Sequence, residues 1–271
     1  IRCRNSSRGQ CRMKRSMKLT ILGSGTSTGV PQVGCTCPTC SSADPRDKRL
    51  RCSSLLEVDG YRILFDCGPD FRAQMMSLPF AKIDAVLVSH EHYDHVGGLD
   101  DLRPFCKFGD VDVYAEDYCV ERLRQRIPYC FTPKESRYPG VPGINLISVL
   151  PNKTFVVGDS VEVQPFRVMH GNLPILGYRI GRLVYITDMK TIPDEVLPTV
   201  CDAEILVVNA LRHVKHNSHQ TIEEAIEFAK SVKARETYFI HMSHQMLPHE
   251  QEEAMLPPHF HLAYDGMVID I

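Results

Sequence analysis

Three histidines and an aspartate stand within the short stretch His90-Glu91-His92-Tyr93-Asp94-His95. Neutral imidazole and carboxylate are good ligands for zinc, manganese or iron. Each such group costs free energy to dehydrate unless a partner satisfies it, and a metal ion does that best. More groups of the same kind lie downstream: His170, Asp188, His219 and His241. Together they make a set for two divalent ions. Paired ions about 3.5–4 Å apart clamp the attacking and leaving oxygens of a displacement. The division expected is His90, His92 and His170 on one ion, Asp94, His95 and His241 on the other, and Asp188 bridging them.

A second constellation is Cys35-Thr36-Cys37-Pro38-Thr39-Cys40. Thiols at Cys-x-Cys-x-x-Cys spacing in a loop read as a structural zinc site, with redox-active or merely buried thiols as the alternative. Zinc wants a fourth ligand. His244 is the candidate and Cys52 the rival. With His244, the segment His241-Met242-Ser243-His244 would tie both metal sites together. Cys67, Cys106, Cys119, Cys130 and Cys201 are read as core or surface thiols. His249, His259 and His261 fit no ligand scheme and are read as structural. His213 and His216 stay open between pocket lining and a solvated loop.

These groups need elements to position them. The apolar, β-branched run Ile83–Ser89 reads as a buried strand that delivers the first motif. Strands over 161–169, 183–187 and 236–240 end at His170, Asp188 and His241. His219 precedes an amphipathic helix over 222–232. Further strands are expected at 18–22, 53–58, 61–67, 111–115, 146–150, 155–157, 176–180, 203–210, 261–264 and 267–271. Asp59-Gly60 between two of them is a strong hairpin signal. Helices are expected at 71–78, 96–105, 116–126, 193–200 and near 250–255, with a loop over 128–143. Strands in series with helices between some of them suggest two sheets covered by helices.

The chain has 271 residues, 43% of them hydrophobic, and a net charge of -2, so it has ample material for a core. Near-neutral charge gives no general case for nucleic-acid or membrane binding. No apolar run approaches the roughly 20 residues that span a bilayer. An odd number of cysteines, 11, and no signal peptide suggest a reducing, cytoplasmic setting. Residues 1–16 hold Arg2, Arg4, Arg8, Arg12, Lys14 and Arg15 with little apolar material, and read as a disordered extension before a single domain at 17–271.

The His-x-His-x-Asp-His pattern after a strand, followed by a later His, Asp and His, resembles the metallo-β-lactamase superfamily. That resemblance covers about residues 17–271 and implies an αββα sandwich with two metals at one edge between the sheets. It assigns Asp66, at a strand end, to holding a ligand histidine in the right tautomer. The cysteine loop with His244 narrows the likeness to the PhnP-type phosphodiesterases. These imply a small cyclic phosphodiester as substrate, a manganese or zinc pair as cofactor with one structural zinc, and attack by a hydroxide held between the metals. Ser218-His219-Gln220-Thr221 resembles a motif of the tRNA 3′-processing endonucleases, which gives His219 the phosphate contact and general-acid role; Asp94 would orient the nucleophile. An RNA substrate is not favoured, because the Pro128–Gly143 loop carries only Lys134 and Arg137 as cations. A non-catalytic metal-binding scaffold is the remaining alternative. The oligomeric state, a homodimer included, is left open.

Overall fold

The structure, a computed structural model, describes residues 16–271. The basic segment therefore lies outside the described residues except for Ser16. In chain order the strands are β1 (Met17–Gly23), β2 (Ser53–Val58), β3 (Tyr61–Phe65), β4 (Ala85–Leu87), β5 (Val111–Glu116), β6 (Ile144–Val149) and β7 (Phe155–Val157). β8 (Val161–His170), β9 (Leu173–Ile180), β10 (Leu183–Tyr185), β11 (Ile205–Asn209), β12 (Glu236–Ile240), β13 (Phe260–Leu262) and β14 (Val268–Asp270) follow. They form two sheets, ordered β14-β1-β2-β3-β4-β5-β6 and β13-β12-β11-β10-β9-β8-β7.

Side chains alternate across a strand, so a strand buried on both faces feeds two apolar layers. β11 shows this: Ile205 and Val207 join the core between the sheets, while Leu206 and Val208 join the layer on the outer face. Around β4, Leu87 points inward and Val86 and Val88 outward. Between the sheets, Phe65 stacks on Tyr185 with centroids 4.2 Å apart. Outside the first sheet, Phe71, Leu99, Leu102 and Leu123 cover the strands. Outside the second, Val200, Ile222, Ala225 and Phe228 do so. Three apolar layers separating helices, sheet, sheet and helices are the αββα sandwich.

Local chemistry explains several boundaries. Asp59 and Gly60 both have positive φ, 51° and 83°, as a tight hairpin between β2 and β3 requires. Thr221 caps the helix Ile222–Ser231: its hydroxyl accepts from the Glu224 amide, and the Glu224 carboxylate accepts from the Thr221 amide.

The helix expected at 96–105 differs. An α-helix covers only Tyr93–Val96, and a 3-10 helix runs over Leu99–Phe108 with Pro104 inside it. Proline has no N–H to give the α-helical ladder. Gly98 also packs so closely that a Cβ there would meet the Gly68 carbonyl oxygen at 2.1 Å. The helix expected at 71–78 stops at Met75, and the strand expected at 83–89 is ordered as strand only over 85–87. Past Leu87 the chain bonds across the sandwich instead: the Tyr178 hydroxyl donates to the Val88 carbonyl and the Leu176 amide to that of Ser89. The loop at 128–143 contains short 3-10 turns at Pro128–Phe131 and Lys134–Ser136.

Candidate metal centre

β3, β4 and β5 run parallel, and so do β10, β11 and β12. Carboxyl ends of parallel strands form the usual crevice of open α/β sheets. Asp66 follows β3, the 90–95 motif follows β4, His170 ends β8, Asp188 follows β10 and His241 follows β12. Asp66, Asp188 and His241 all adopt left-handed backbone, with φ of 56°, 53° and 57°. That conformation is uncommon for residues other than glycine and clusters at functional sites. Here it turns each side chain off its strand.

The side chains meet in overlapping groups whose donor atoms lie within 4.8 Å of one another: His90, His92 and His170; Asp94, His95 and His241; His90, His95 and Asp188; and His170, Asp188 and His219. Both expected triads are thus brought together, with Asp188 in reach of members of each. Its Oδ2 is 3.1 Å from His95 Nε2 and its Oδ1 3.1 Å from His241 Nε2. His219 also reaches Asp188, Nε2 to Oδ1 at 2.7 Å. His216 stands behind it, Nδ1 to Nδ1 at 3.1 Å. His213 turns away to Glu223 and Glu252, at 2.6 and 3.0 Å.

Tautomers are set from outside. Asp66 Oδ2 lies 2.7 Å from His95 Nδ1, which leaves Nε2 to face the other carboxylates. Ser89 donates to Asp66 from its amide at 2.7 Å and its hydroxyl at 2.8 Å, and the same hydroxyl is 2.9 Å from His90 Nδ1. His170 Nδ1 donates to the Ser218 carbonyl at 2.9 Å. Thr187 donates to Asp188 Oδ2 at 2.6 Å. Sequence reasoning passes over Ser89, Thr187 and Ser218. Adjacency to a motif residue is the only signal for all three, and for Ser218 it cannot tell that the contact is the backbone carbonyl.

Burial opposes charge on most of these groups. It pushes the Asp188 carboxyl up, but His241 and His95 outweigh it and hold the group well below the ordinary range. Asp94 is lowered too, burial being outweighed by His95 and His241. Burial would strip the proton from His95, yet Asp188, Asp94 and Asp66 raise its pKa well above the ordinary value. His90 is driven well down by burial and then by His95. Burial takes His219 to about 4.

His95 Nε2 is buried and makes no well-directed hydrogen bond, although carboxylate oxygens of Asp94 and Asp188 lie 3.2 and 3.1 Å away. A buried donor set of imidazoles and carboxylates with an unbonded nitrogen at its centre fits divalent cations, which would replace the proton His95 otherwise carries.

The cysteine loop folds into a short helix, Pro38–Ser41. Cys35, Cys37, Cys40 and His244 converge on one point, with His244 Nδ1 3.2 Å from Cys35 Sγ and 3.5 Å from Cys37 Sγ. The Cys40 amide brings the Cys37 thiol down to about 6. Cys52, the rival fourth ligand, is elsewhere, buried 3.6 Å from the Tyr185 hydroxyl. Cys67, Cys119 and Cys130 are buried thiols. Cys201 is the exception to the thiol reading, being disulfide-bonded. His249 packs against Arg49, and His259 and His261 against Glu236, as structural residues. Among the described residues no helix is long and apolar enough to cross a membrane.

Residues 61–242 match the beta-lactamase superfamily domain. An octanoyltransferase of Porphyromonas gingivalis is 47% identical over 253 residues, 93% of this chain and 51% of that protein. The chain therefore spans about half the length of that relative. A solved structure described as a new diphosphatase from the PhnP family superposes with a TM-score of 0.87 at 38% identity, covering 94% of this chain and 97% of the other. Zinc-bound PqqB from Methylobacterium extorquens shares the fold, with a TM-score of 0.78 at 21% identity over 94% and 100% of the two chains. With its sandwich, its metal-ligand pattern and these relatives, the chain belongs to the metallo-β-lactamase superfamily and is a PhnP-like protein.

Proposed function

We propose that this chain is a metal-dependent hydrolase, and more narrowly a phosphodiesterase acting on small, including cyclic, phosphodiesters. The observation that carries it is the pair of triads in reach of Asp188. His90, His92 and His170 would hold one divalent ion, Asp94, His95 and His241 the other, and Asp188 both. Manganese or zinc suits such donors. Bound there, the ions would supply Lewis acidity and water that loses a proton near neutral pH.

The chain's own residues do the rest. Asp66 and Ser89 hold His95 and His90 in register through short hydrogen bonds. Asp94 would orient the attacking water as well as bind an ion. His219 would contact the phosphoryl group and return a proton to the departing oxygen. Burial favours its neutral form, so the proton it returns would be the one released by the attacking water. Cys35, Cys37, Cys40 and His244 would hold a structural zinc three residues from His241.

The relative described as a diphosphatase supports phosphoryl chemistry and adds diphosphates to the substrates worth testing. A second reading, acyl transfer, is favoured by the name of the Porphyromonas gingivalis relative, of which this chain matches about half. The test is hydrolysis of bis(p-nitrophenyl) phosphate, 2′,3′-cyclic nucleotides and diphosphates by protein loaded with manganese or zinc, beside an octanoyl-transfer assay. Phosphodiester turnover is expected. No turnover at full metal content, or octanoyl transfer alone, would overturn the proposal.

A further inference from the structure

His219 is held at both ring nitrogens. Its Nε2 lies 2.7 Å from Asp188 Oδ1, inside the metal cluster. Its Nδ1 lies 3.1 Å from His216 Nδ1. The segment that carries the two rings is a closed loop. The Leu211 amide donates to the Gln220 carbonyl at 3.0 Å, and the Ile222 amide to the Arg212 carbonyl at 3.2 Å. Within the loop His213 is tied to Glu223 and Glu252. The half-buried ring of His216 folds back on that of buried His219, with centroids 4.9 Å apart.

Two imidazole nitrogens in contact share one proton, so one donates and the other accepts. The backbone settles which. The Ser218 amide, which can only donate, points at His216 Nδ1 from 3.3 Å. His216 Nδ1 is therefore the bare nitrogen. Burial and then the Arg212 cation lower the pKa of His216, so its ring stays neutral and keeps that lone pair. His219 Nδ1 must then be the donor. The tautomer of an imidazole is set by the bond its other nitrogen makes. With Asp188 as its only partner, neutral His219 would keep its single proton on Nε2, facing the carboxylate. Held by His216, it keeps that proton on Nδ1 and presents a bare Nε2 to the cluster.

We propose that His216 is a positioning residue: by accepting from His219 Nδ1 it reserves His219 Nε2 as the atom that receives and releases the catalytic proton. This rests on the phosphodiesterase reading and on its use of His219. The oxygen of the attacking water bonds to phosphorus, and the bond from phosphorus to the ribose oxygen breaks. The water's proton passes to Nε2 and from there to the departing oxygen, so His219 ends as it began. The 2.7 Å contact with Asp188 marks where that proton rests in between. In the other tautomer Nε2 is already occupied and cannot take it. A catalytic histidine caught in the wrong tautomer loses most of its effect even when the geometry around it is intact.

The experiment compares H216F, which keeps a ring without an acceptor, with H216N, whose amide oxygen falls near the place of Nδ1. Each is tested on a 2′,3′-cyclic nucleotide, whose ribose oxygen needs a proton to leave, and on bis(p-nitrophenyl) phosphate, whose phenolate does not. In manganese-loaded H216F, kcat for the cyclic nucleotide is expected to fall roughly 10²-fold, and for the phenolate ester by less than about tenfold. KM and metal content stay as in the wild type, and H216N restores most of the loss. Nitrogen NMR of zinc-loaded, histidine-labelled protein should show neutral His219 protonated on Nδ1 in the wild type and on Nε2 in H216F. Equal losses on the two substrates, loss of metal, or equal activity of H216F and H216N would overturn the proposal. So would an unchanged tautomer, which would make the Ser218 hydroxyl, 3.2 Å from the same nitrogen, the acceptor. A wild type that turns over no phosphodiester yet shows the Nδ1 tautomer that H216F loses would instead remove the hydrolase reading and keep His216 as the acceptor.

Discussion

The two clusters joined by His241-Met242-Ser243-His244 are built on opposite plans. The histidine–aspartate cluster draws its donors from the ends of β4, β8, β10 and β12, which belong to both sheets. The cysteine cluster takes Cys35, Cys37 and Cys40 from one loop and only His244 from afar. The first is buried at its centre and overdetermined, with Asp66, Ser89, Thr187 and the Ser218 carbonyl holding it from outside. The second is half-exposed and held by few bonds, such as the Cys40 amide to Cys37 and the Gln32 amide to Cys40. A site assembled by the whole sandwich can exist before metal arrives. A loop of thiols needs its ion to hold it together. One region is thus expected to depend on the fold, and the other to support it.

Exchanging the central carboxylate should break the first region's chemistry. Asp188→Asn is expected to lower phosphodiester turnover by on the order of 10³-fold or more, because charge clamping at the centre is lost. Metal analysis should show loss of active-site ions, with circular dichroism unchanged. Near-normal turnover would mean that Asp188 does not join the triads.

Cys40→Ser tests the second region, with the effect on stability instead. Loss of one zinc per chain and about 4 kcal/mol of unfolding free energy are expected, the scale of losing a structural metal. Turnover per folded, metallated molecule should stay within about tenfold of the wild type. A variant equally stable but inactive would reverse the comparison.

His219→Ala sharpens the division inside the first region. Turnover should fall roughly 10²-fold, as for loss of a general acid, with both active-site ions retained. If metal content fell in step, His219 would be a ligand, as its 2.7 Å contact with Asp188 also allows.

The smallest effect concerns the polar cluster that ties the cysteine-loop region to the C-terminal segment. His249 Nδ1 lies 3.1 Å from Arg49 Nη2 and can accept from it only when neutral. Burial and then the Arg49 cation hold its pKa at about 4, below the ordinary 6.5. On acidification the unfolded chain takes up this proton first. The stabilisation is therefore complete above pH 6.5 and lost as pH falls towards 4, by up to about 3 kcal/mol. Asp265, raised by burial to about 6, works in the opposite direction over nearly the same range. The comparison must then be with H249Q. Denaturant unfolding between pH 7 and 4 should show the gap between wild type and variant narrowing as pH falls. A constant gap would mean that His249 does not titrate in this window.

Much of this was legible because it is local. Ile83–Ser89 followed by His-x-His-x-Asp-His announces a strand that ends in ligands. Asp59-Gly60 announces a hairpin, since Asp and Gly tolerate the two positive φ angles it uses. Cysteine spacing announces a shared ion. The misread stretches are those where a distant partner outvotes the local pattern. Residues 96–105 have helical spacing, but Pro104 and the approach of Gly98 to Gly68 turn them into a 3-10 helix.

The sequence by itself determined the donor types, their order along the chain and the strand ends that carry them, because spacing and apolar periodicity are properties of neighbours. Only the tertiary structure decided which donors share a point, that Ser89 and Asp66 hold the imidazoles, and that His244 and not Cys52 faces the thiols. It also decided the left-handed turn at Asp66, Asp188 and His241. These depend on two sheets packing at a fixed separation and register, which brings together residues far apart in the chain and which no short stretch encodes.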